Sequence, residues 1–272
     1  MACSGFFAVA DQSGLNMGNG TPKNPAEVAA MREAGKLAAV VLRSAAALVE
    51  PGLSTAELDA KVGELIKANG AVSAFHGYRG FPGQCCISVN EAVVHGIGDA
   101  RRLQFGDIVK LDIGVRNKGF VGDVAMSVAV GGCLPAGQKL MDVTTQALYD
   151  GISVARAGNR VSDISRAVQK RVEAAGFSVV REFVGHGVGR SVHEDPQVPN
   201  YVDPRNSVRL RAGMTIAIEP MVNAGGAAVE VLGDRWTVVT KDRQLSAHFE
   251  HTVLVTDGEA EILTKDGLPP LY

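Results

Sequence analysis

Apolar positions between residues 25 and 49 recur at helical spacing, through Val28, Met31, Leu37, Val40, Val41 and Leu48, and Asn24-Pro25 supplies a cap and a first helical position. The pattern predicts a long amphipathic helix that Pro51-Gly52 breaks. Ser54-x-x-Glu57 is a capping box, so a second helix opens there and ends near Asn69-Gly70. From Gln84 the period shortens: QCCISVN, DIVKLDIGV and GFVGDVAMSVAV read as strands, the last two joined by a hairpin turn at Arg116-Asn117-Lys118. After Gly131-Gly132 the same order returns, with helices over 137–157 and 160–175 and strands over 179–184, 214–218, 227–232, 235–241 and 247–256. The segment EDPQVPNYVDPRNS, residues 194–207, is rich in Pro, Asp and Asn and predicts a loop over a cleft.

The second helix of each series can be laid over the other. PGLSTAELDAKVGELIKANG and AGNRVSDISRAVQKRVEAAG bring Gly52 and Gly70 onto Gly158 and Gly176 at an offset of 106 residues. The fold class this predicts is α/β of the α+β kind: two similar helix–helix–sheet halves, about 25–132 and 133–258, sharing one sheet and one core. They form a single domain over 21–272 with a site at their interface, behind an N-terminal stretch, 1–20, expected to be flexible.

Composition narrows the function. The 272 residues carry a net charge of -2 and are 46% hydrophobic and 21% charged, which supplies no basic stripe for nucleic acid. No apolar run approaches the ~18 residues of a membrane span, and MACSGFFAVADQSG lacks the basic start of a secretory signal. Cys3, Cys85, Cys86 and Cys133 form no CxxC pair, which fits a reducing cytoplasm. Glycine is in excess, at 32 residues, and aromatics are only 5%, so tight helix–sheet packing of Ala, Val, Leu and Ile is expected.

The hairpin carries the strongest chemical signal. A turn centred between Asn117 and Lys118 sets Asp112 directly across from Asp123, within strands that are otherwise apolar. Two carboxylates so placed repel unless a proton or cation lies between them; the alternative is a solvated sheet edge. Glu219 ends the apolar strand TIAIEP, Glu250 lies in SAHFEHTVLV, and the repeat offset carries Asp112 to within one residue of Glu219. His186, in FVGHGVG directly after a strand, is flanked by Gly185, Gly187 and Gly189, which let backbone or substrate approach the ring; alone, it reads as a turn residue as readily as a ligand. GHGVG lacks the spacing and the lysine of a phosphate loop. Four carboxylates and an imidazole carry a charge that two divalent cations match, Mn²⁺ or Fe²⁺ by preference with Co²⁺ or Zn²⁺ also suited, and such a pair activates water for hydrolysis.

These motifs, in order, resemble the methionine aminopeptidases of the pita-bread fold, from about Pro25 to Val255: SVNEAVVHGIG, KLDIGV, GDVAMS, GHGVGRSVHEDPQV, IAIEPMV and SAHFEHTVLVT. The resemblance implies that Asp112, Asp123, His186, Glu219 and Glu250 hold two metal ions, Asp112 and Asp123 bridging or chelating, with Glu219 also accepting a proton from the attacking water. It implies that His193 donates to the scissile carbonyl and that His95 lies near the scissile amide and free amine. Phe75, Tyr78, Phe81, Cys86, His95, Val192 and Trp236 would line the methionine pocket, with Arg79 at the rim. Many bacterial relatives carry Cys, Tyr and Phe in place of Phe75, Phe81 and Val192, and His in place of Arg79.

The short spacings from His186 to Glu219 and from Glu219 to Glu250 leave no room for the helical insertion of type II enzymes, so the likeness is to the compact bacterial type I form. The resemblance implies a monomeric cytoplasmic exopeptidase acting on nascent polypeptide N-termini near the ribosome exit, with no nucleic-acid or membrane binding of its own. The alternatives are an X-Pro aminopeptidase or prolidase of the same fold, which usually has a large extra N-terminal domain, and a non-catalytic peptide- or ribosome-binding homologue, which would normally have lost ligands.

Overall fold

The computed structural model describes residues 18–206 and 208–268. The flexible stretch expected at 1–20 falls mostly on residues 1–17, outside the described residues; the carbonyls of Asn19 and Gly20 accept hydrogen bonds from Arg211 at 3.2 and 2.6 Å.

The first series comprises helices α1 (Pro25–Ala46) and α2 (Thr55–Ala68) and strands β1 (Val72–Ser73), β2 (Cys86–Val89), β3 (Ala92–Val94), β4 (Ile108–Asn117) and β5 (Phe120–Ala129). The second begins with helices α3 (Pro135–Ser153) and α4 (Val161–Ala174), then β6 (Ser178–Val179), β7 (Gly185–Gly187), β8 (Glu194–Val198), β9 (Thr215–Ile218) and β10 (Met221–Asn223). It closes with β11 (Val229–Val231), β12 (Val238–Thr240), β13 (Ser246–His248), β14 (Glu250–Leu254) and β15 (Glu261–Ile262). Both predicted N-terminal caps form: Asn24 exchanges bonds with Glu27, and Ser54 with Glu57, satisfying the free amides that open each helix. Gly52 and Gly158 share a φ of 92°, and Gly70 and Gly176 have φ of 70° and 84°, so the glycines that align in sequence mark left-handed turns at both ends of α2 and α4.

Nine strands form the main sheet, in the order β1-β4-β5-β14-β9-β7-β8, with β2 also on β4 and β15 on β14. Its neighbours are antiparallel. Two three-stranded sheets, β13-β10-β6 and β11-β12-β3, flank it. Period-two alternation divides the main sheet into two faces. Val109, Leu111, Ile113 and Val115 of β4, Val124 and Met126 of β5, Ile216 and Ile218 of β9 and Val253 of β14 enter the principal core with buried residues of all four helices. The opposite face of the same strands carries Asp112, Asp123, Glu219 and Glu250.

The hydrogen bonds around each helix pair also recur. Gly52 N–H donates to Leu103 and Gly158 N–H to Leu210; Gly106 donates to Val130 and Gly213 to Val255. Leu103 and Gly106 correspond to Leu210 and Gly213 at an offset of 107 residues, one more than across the helices, and the same offset carried to the next strand places Glu219 at the position equivalent to Asp112.

Several strand expectations need correction. The hairpin turn is Lys118-Gly119, with φ of 48° and 81°, rather than Arg116-Asn117-Lys118. Such a two-residue turn takes positive φ at both positions, which Gly119 meets without strain. Asp112 therefore pairs with Ala125 and Asp123 with Gly114; the two aspartates are diagonal neighbours on one face, not directly opposed. Residues 194–198, expected as loop, form edge strand β8, where Pro196 is tolerated because no further strand needs its missing N–H. The predicted strand 247–256 divides at Phe249 into β13 and β14, which belong to different sheets, and of the predicted strand 179–184 only Val179 lies in a strand, at the end of β6. Among the described residues no helix is long and apolar enough to cross a membrane.

Candidate metal centre

Register sets four residues in a row across the sheet. Asp112 of β4 pairs with Ala125 of β5, and Ala125 pairs with Glu250 of β14. His251 pairs with Ile218, and the next step of that register sets Glu250 level with Glu219, the residue that follows β9. Asp123 lies one alternation away on β5, opposite Gly114. The only member of the row without a polar side chain is thus its smallest, the fully buried Ala125.

His186 reaches the row from β7. Its flanking glycines serve the sheet: a Cβ on Gly185 would overlap the carbonyl of Ala217, and one on Gly187 the carbonyl of Asp195. The close approach allowed by these glycines is therefore that of neighbouring strands. The Nδ1 of His186 is 2.9 Å from the carbonyl oxygen of Gly187, which can only accept, so Nδ1 carries a proton and Nε2 is the nitrogen left to face the acidic row. That Nε2 lies 3.3 Å from Glu219 Oε1 and 3.9 Å from Asp123 Oδ2.

Asp123, His186 and Glu250 each present a ligand atom within 4.8 Å of the others. Asp112 Oδ1, Asp123 Oδ1, Glu219 Oε1 and Glu250 Oε1 are sealed from solvent and have no hydrogen-bond partner. Burial raises the Asp112 and Glu219 carboxyls to about 7, and the Asp112–Glu219 repulsion adds to the rise at Asp112. Burial followed by repulsion from the other acids holds Asp123 and Glu250 well above the carboxylate range. Protein donors do not satisfy this set; a divalent cation does, because it replaces the missing donors and the missing positive charge together. The donor set of four carboxylates and one imidazole nitrogen suits a hard or borderline cation.

His95 and His193, expected beside the ligands, line one cavity with Asp112, His186 and Glu219. His95 sits at φ 59° and packs edge-on against Phe183, with ring centroids 5.4 Å apart. Burial lowers its pKa to about 3, and that of His193 is lowered by the same cause. Phe75, Phe81, Cys86 and Val192 form one buried apolar cluster, against which Tyr78 and Trp236 pack. Phe81 and Trp236 meet edge to face at 5.1 Å. Cys86 joins this cluster to the acidic row by pairing with Asp112 across β2 and β4.

One further residue belongs to the site. His248 is buried, its Nε2 is 3.6 Å from Glu219 Oε2, and neither ring nitrogen has a hydrogen-bond partner. Burial lowers its pKa to about 4. The sequence signal for it is its spacing two residues before Glu250, which puts both on one face of an extended segment.

Comparison with known proteins agrees with this geometry. The chain is 49% identical to methionine aminopeptidase 1 of Bacillus subtilis over 89% of its own length and 98% of that protein's. Against the Escherichia coli K12 methionine aminopeptidase the identity is 48%, over 89% and 92% of the two chains. The crystal structure of the Thermotoga maritima methionine aminopeptidase superimposes with a TM-score of 0.88 at 44% identity, covering 90% of this chain and 99% of that one. A Pyrococcus furiosus prolidase shares the fold at a TM-score of 0.75 and 24% identity, covering 90% and 65%. The α+β pita-bread architecture expected from the sequence is the one these neighbours share. Metallopeptidase family M24 is matched over residues 29–257, a span that contains the whole acidic row, and the chain belongs to that family.

Proposed function

We propose that this chain is a type I methionine aminopeptidase that removes the initiator methionine from nascent proteins whose second residue is small. The observation that supports it best is the acidic row with its donor-free buried oxygens, adjoining a closed apolar cluster through the Cys86–Asp112 pair. Asp112, Asp123, His186, Glu219 and Glu250 would hold two divalent ions, drawn from Co, Mn, Fe and Zn. Such ions, when bound, supply a Lewis acid for the scissile carbonyl and lower the pKa of water near neutrality.

The chain's own groups do the rest. Phe75, Tyr78, Phe81, Cys86, Val192 and Trp236 take the unbranched thioether side chain into apolar surroundings and exclude water from it. Glu219 takes the proton of the attacking water. His193 donates to the carbonyl oxygen as negative charge develops there, and His95 contacts the scissile amide and the free amine. The two halves, 25–132 and 133–258, act as one catalytic domain because each contributes carboxylates. The setting that fits this activity is a cytoplasmic monomer working on N-termini near the ribosome exit.

Stripping the protein with chelator, restoring Mn²⁺ or Co²⁺ and offering Met-Ala-Ser, Met-Leu-Ser and Ala-Pro-Ser tests the reading. Release of methionine from the first peptide alone, and only after metal is restored, is expected. Cleavage confined to the X-Pro peptide overturns it in favour of a prolidase-like activity, and cleavage of none in favour of a non-catalytic homologue.

A further inference from the structure

Four side chains form a column from the rim of the cleft to the acidic row. The Arg79 guanidinium lies 5.4 Å from the centroid of the Tyr78 ring. Tyr78 stacks on His193 with centroids 5.5 Å apart and planes at 29°, and His193 in turn lies 4.2 Å from the His186 ring. Within the column the Tyr78 hydroxyl is 3.0 Å from His193 Nδ1.

That hydrogen bond can run in two directions, with opposite consequences. If Nδ1–H donates to the phenol oxygen, Nε2 is a bare lone pair and the neutral imidazole offers nothing to a developing oxyanion. If the phenol O–H donates to Nδ1, the ring's own proton sits on Nε2 and is available to an oxygen. Arg79 decides between them. A guanidinium is permanently charged, and a cation beside the ring draws electron density from the phenol, making its O–H a better donor and its oxygen a poorer acceptor. The backbone sets the two residues side by side: Arg79 itself adopts φ 49° within the turn Tyr78–Gly80, which comes directly after Gly77 at φ 79°. The turn thus presents Tyr78 toward His193 with Arg79 alongside.

We infer that Tyr78, polarised by Arg79, is a positioning residue that donates its hydroxyl proton to His193 Nδ1 and so fixes the imidazole in the Nε2–H form. This rests on the proposed aminopeptidase activity in one respect, that His193 faces the scissile carbonyl. The inference concerns which nitrogen carries the proton.

The test is ¹⁵N NMR of the full chain labelled at histidine and loaded with diamagnetic Zn²⁺, using His193→Gln to assign the His193 signals. Wild type is expected to show a protonated Nε2 and a bare, hydrogen-bonded Nδ1. Tyr78→Phe is expected to move His193 to a mixture of tautomers, and to lower kcat on Met-Ala-Ser by roughly tenfold with KM little changed, the signature of an interaction made in the transition state. Arg79→Gln is expected to shift the tautomer balance in the same direction by less. A wild-type signal with the proton on Nδ1 overturns the inference, as does a Tyr78→Phe protein whose His193 tautomer stays as in wild type. Should that variant not fold, the wild-type spectrum alone decides. The underlying activity fails separately: a His193→Ala protein with wild-type kcat removes His193 from the reaction and leaves the tautomer result standing.

Discussion

Cys86 stands directly across the β2–β4 pair from Asp112, so the apolar cluster and the acidic row share one step of the ladder. Burial, and then the neighbouring Asp112 charge, pushes the Cys86 thiol well above its ordinary range, and burial does the same to Cys85. Thiolate is the reactive species, so both should be inert in the folded protein, whereas Cys133 is partly exposed. In a Cys3→Ser background, Ellman's reagent should modify one thiol quickly and two more only on unfolding. A second fast thiol in the native protein would refute this.

Ala125 sits between Asp112 and Glu250 on the face that carries the acids. Ala125→Leu should fold, at a cost of about 1–3 kcal/mol for overpacking, and should fill the space in which ions would lie. Metal content by mass spectrometry and turnover should fall together, metal affinity by about 10- to 100-fold. Asp112→Asn should abolish turnover and lower metal stoichiometry without overpacking, because a neutral amide does not bridge two cations. Wild-type metal content in either variant would contradict the ligand assignment.

The acids also set a pH dependence. The Asp112 and Glu219 carboxyls rise to about 7 in the metal-free fold, above their values in an unfolded chain, so the folded state binds the extra protons. Their contribution to stability is full below about pH 4 and is lost as pH rises through about 7. Burial pulls the other way on His95 and His248, depressed to about 3 and about 4, and on Lys110, depressed to about 7. Metal binding acts directly on the carboxylates, so the comparison to make is the difference in Tm between the metal-free and metal-loaded forms. Cations compete with protons for the carboxylates, and that difference should grow from about pH 6 to about pH 8. A difference that is flat or shrinks with pH would show that protons and metal do not share these groups.

Much of the architecture was legible because local chemistry specifies it. The caps at Asn24 and Ser54 and the glycines at 52, 70, 158 and 176 mark helix boundaries within a few residues in sequence of the groups they satisfy. The shared face of Asp112 and Asp123 was legible too, since period-two alternation survives a shift of the turn. Their register was not: it depends on Lys118 adopting a positive φ, which a lysine does not signal. The Ala125–Glu250 pairing joins strands more than a hundred residues apart, and no local pattern encodes which strands become neighbours. Pro196 masks β8, because proline reads as loop until the strand is known to lie at an edge.

The central position of β14 has a consequence for synthesis. It follows both β5 and β9 in the chain, and so leaves the ribosome after them, yet it lies between them in the sheet and carries Glu250. Until it arrives, β5 presents an unpaired edge in an otherwise finished hairpin, the kind of edge that recruits foreign strands. Closing the sheet and completing the acidic row are therefore one event, and the nascent chain holds an aggregation-prone edge for as long as it lacks its last carboxylate.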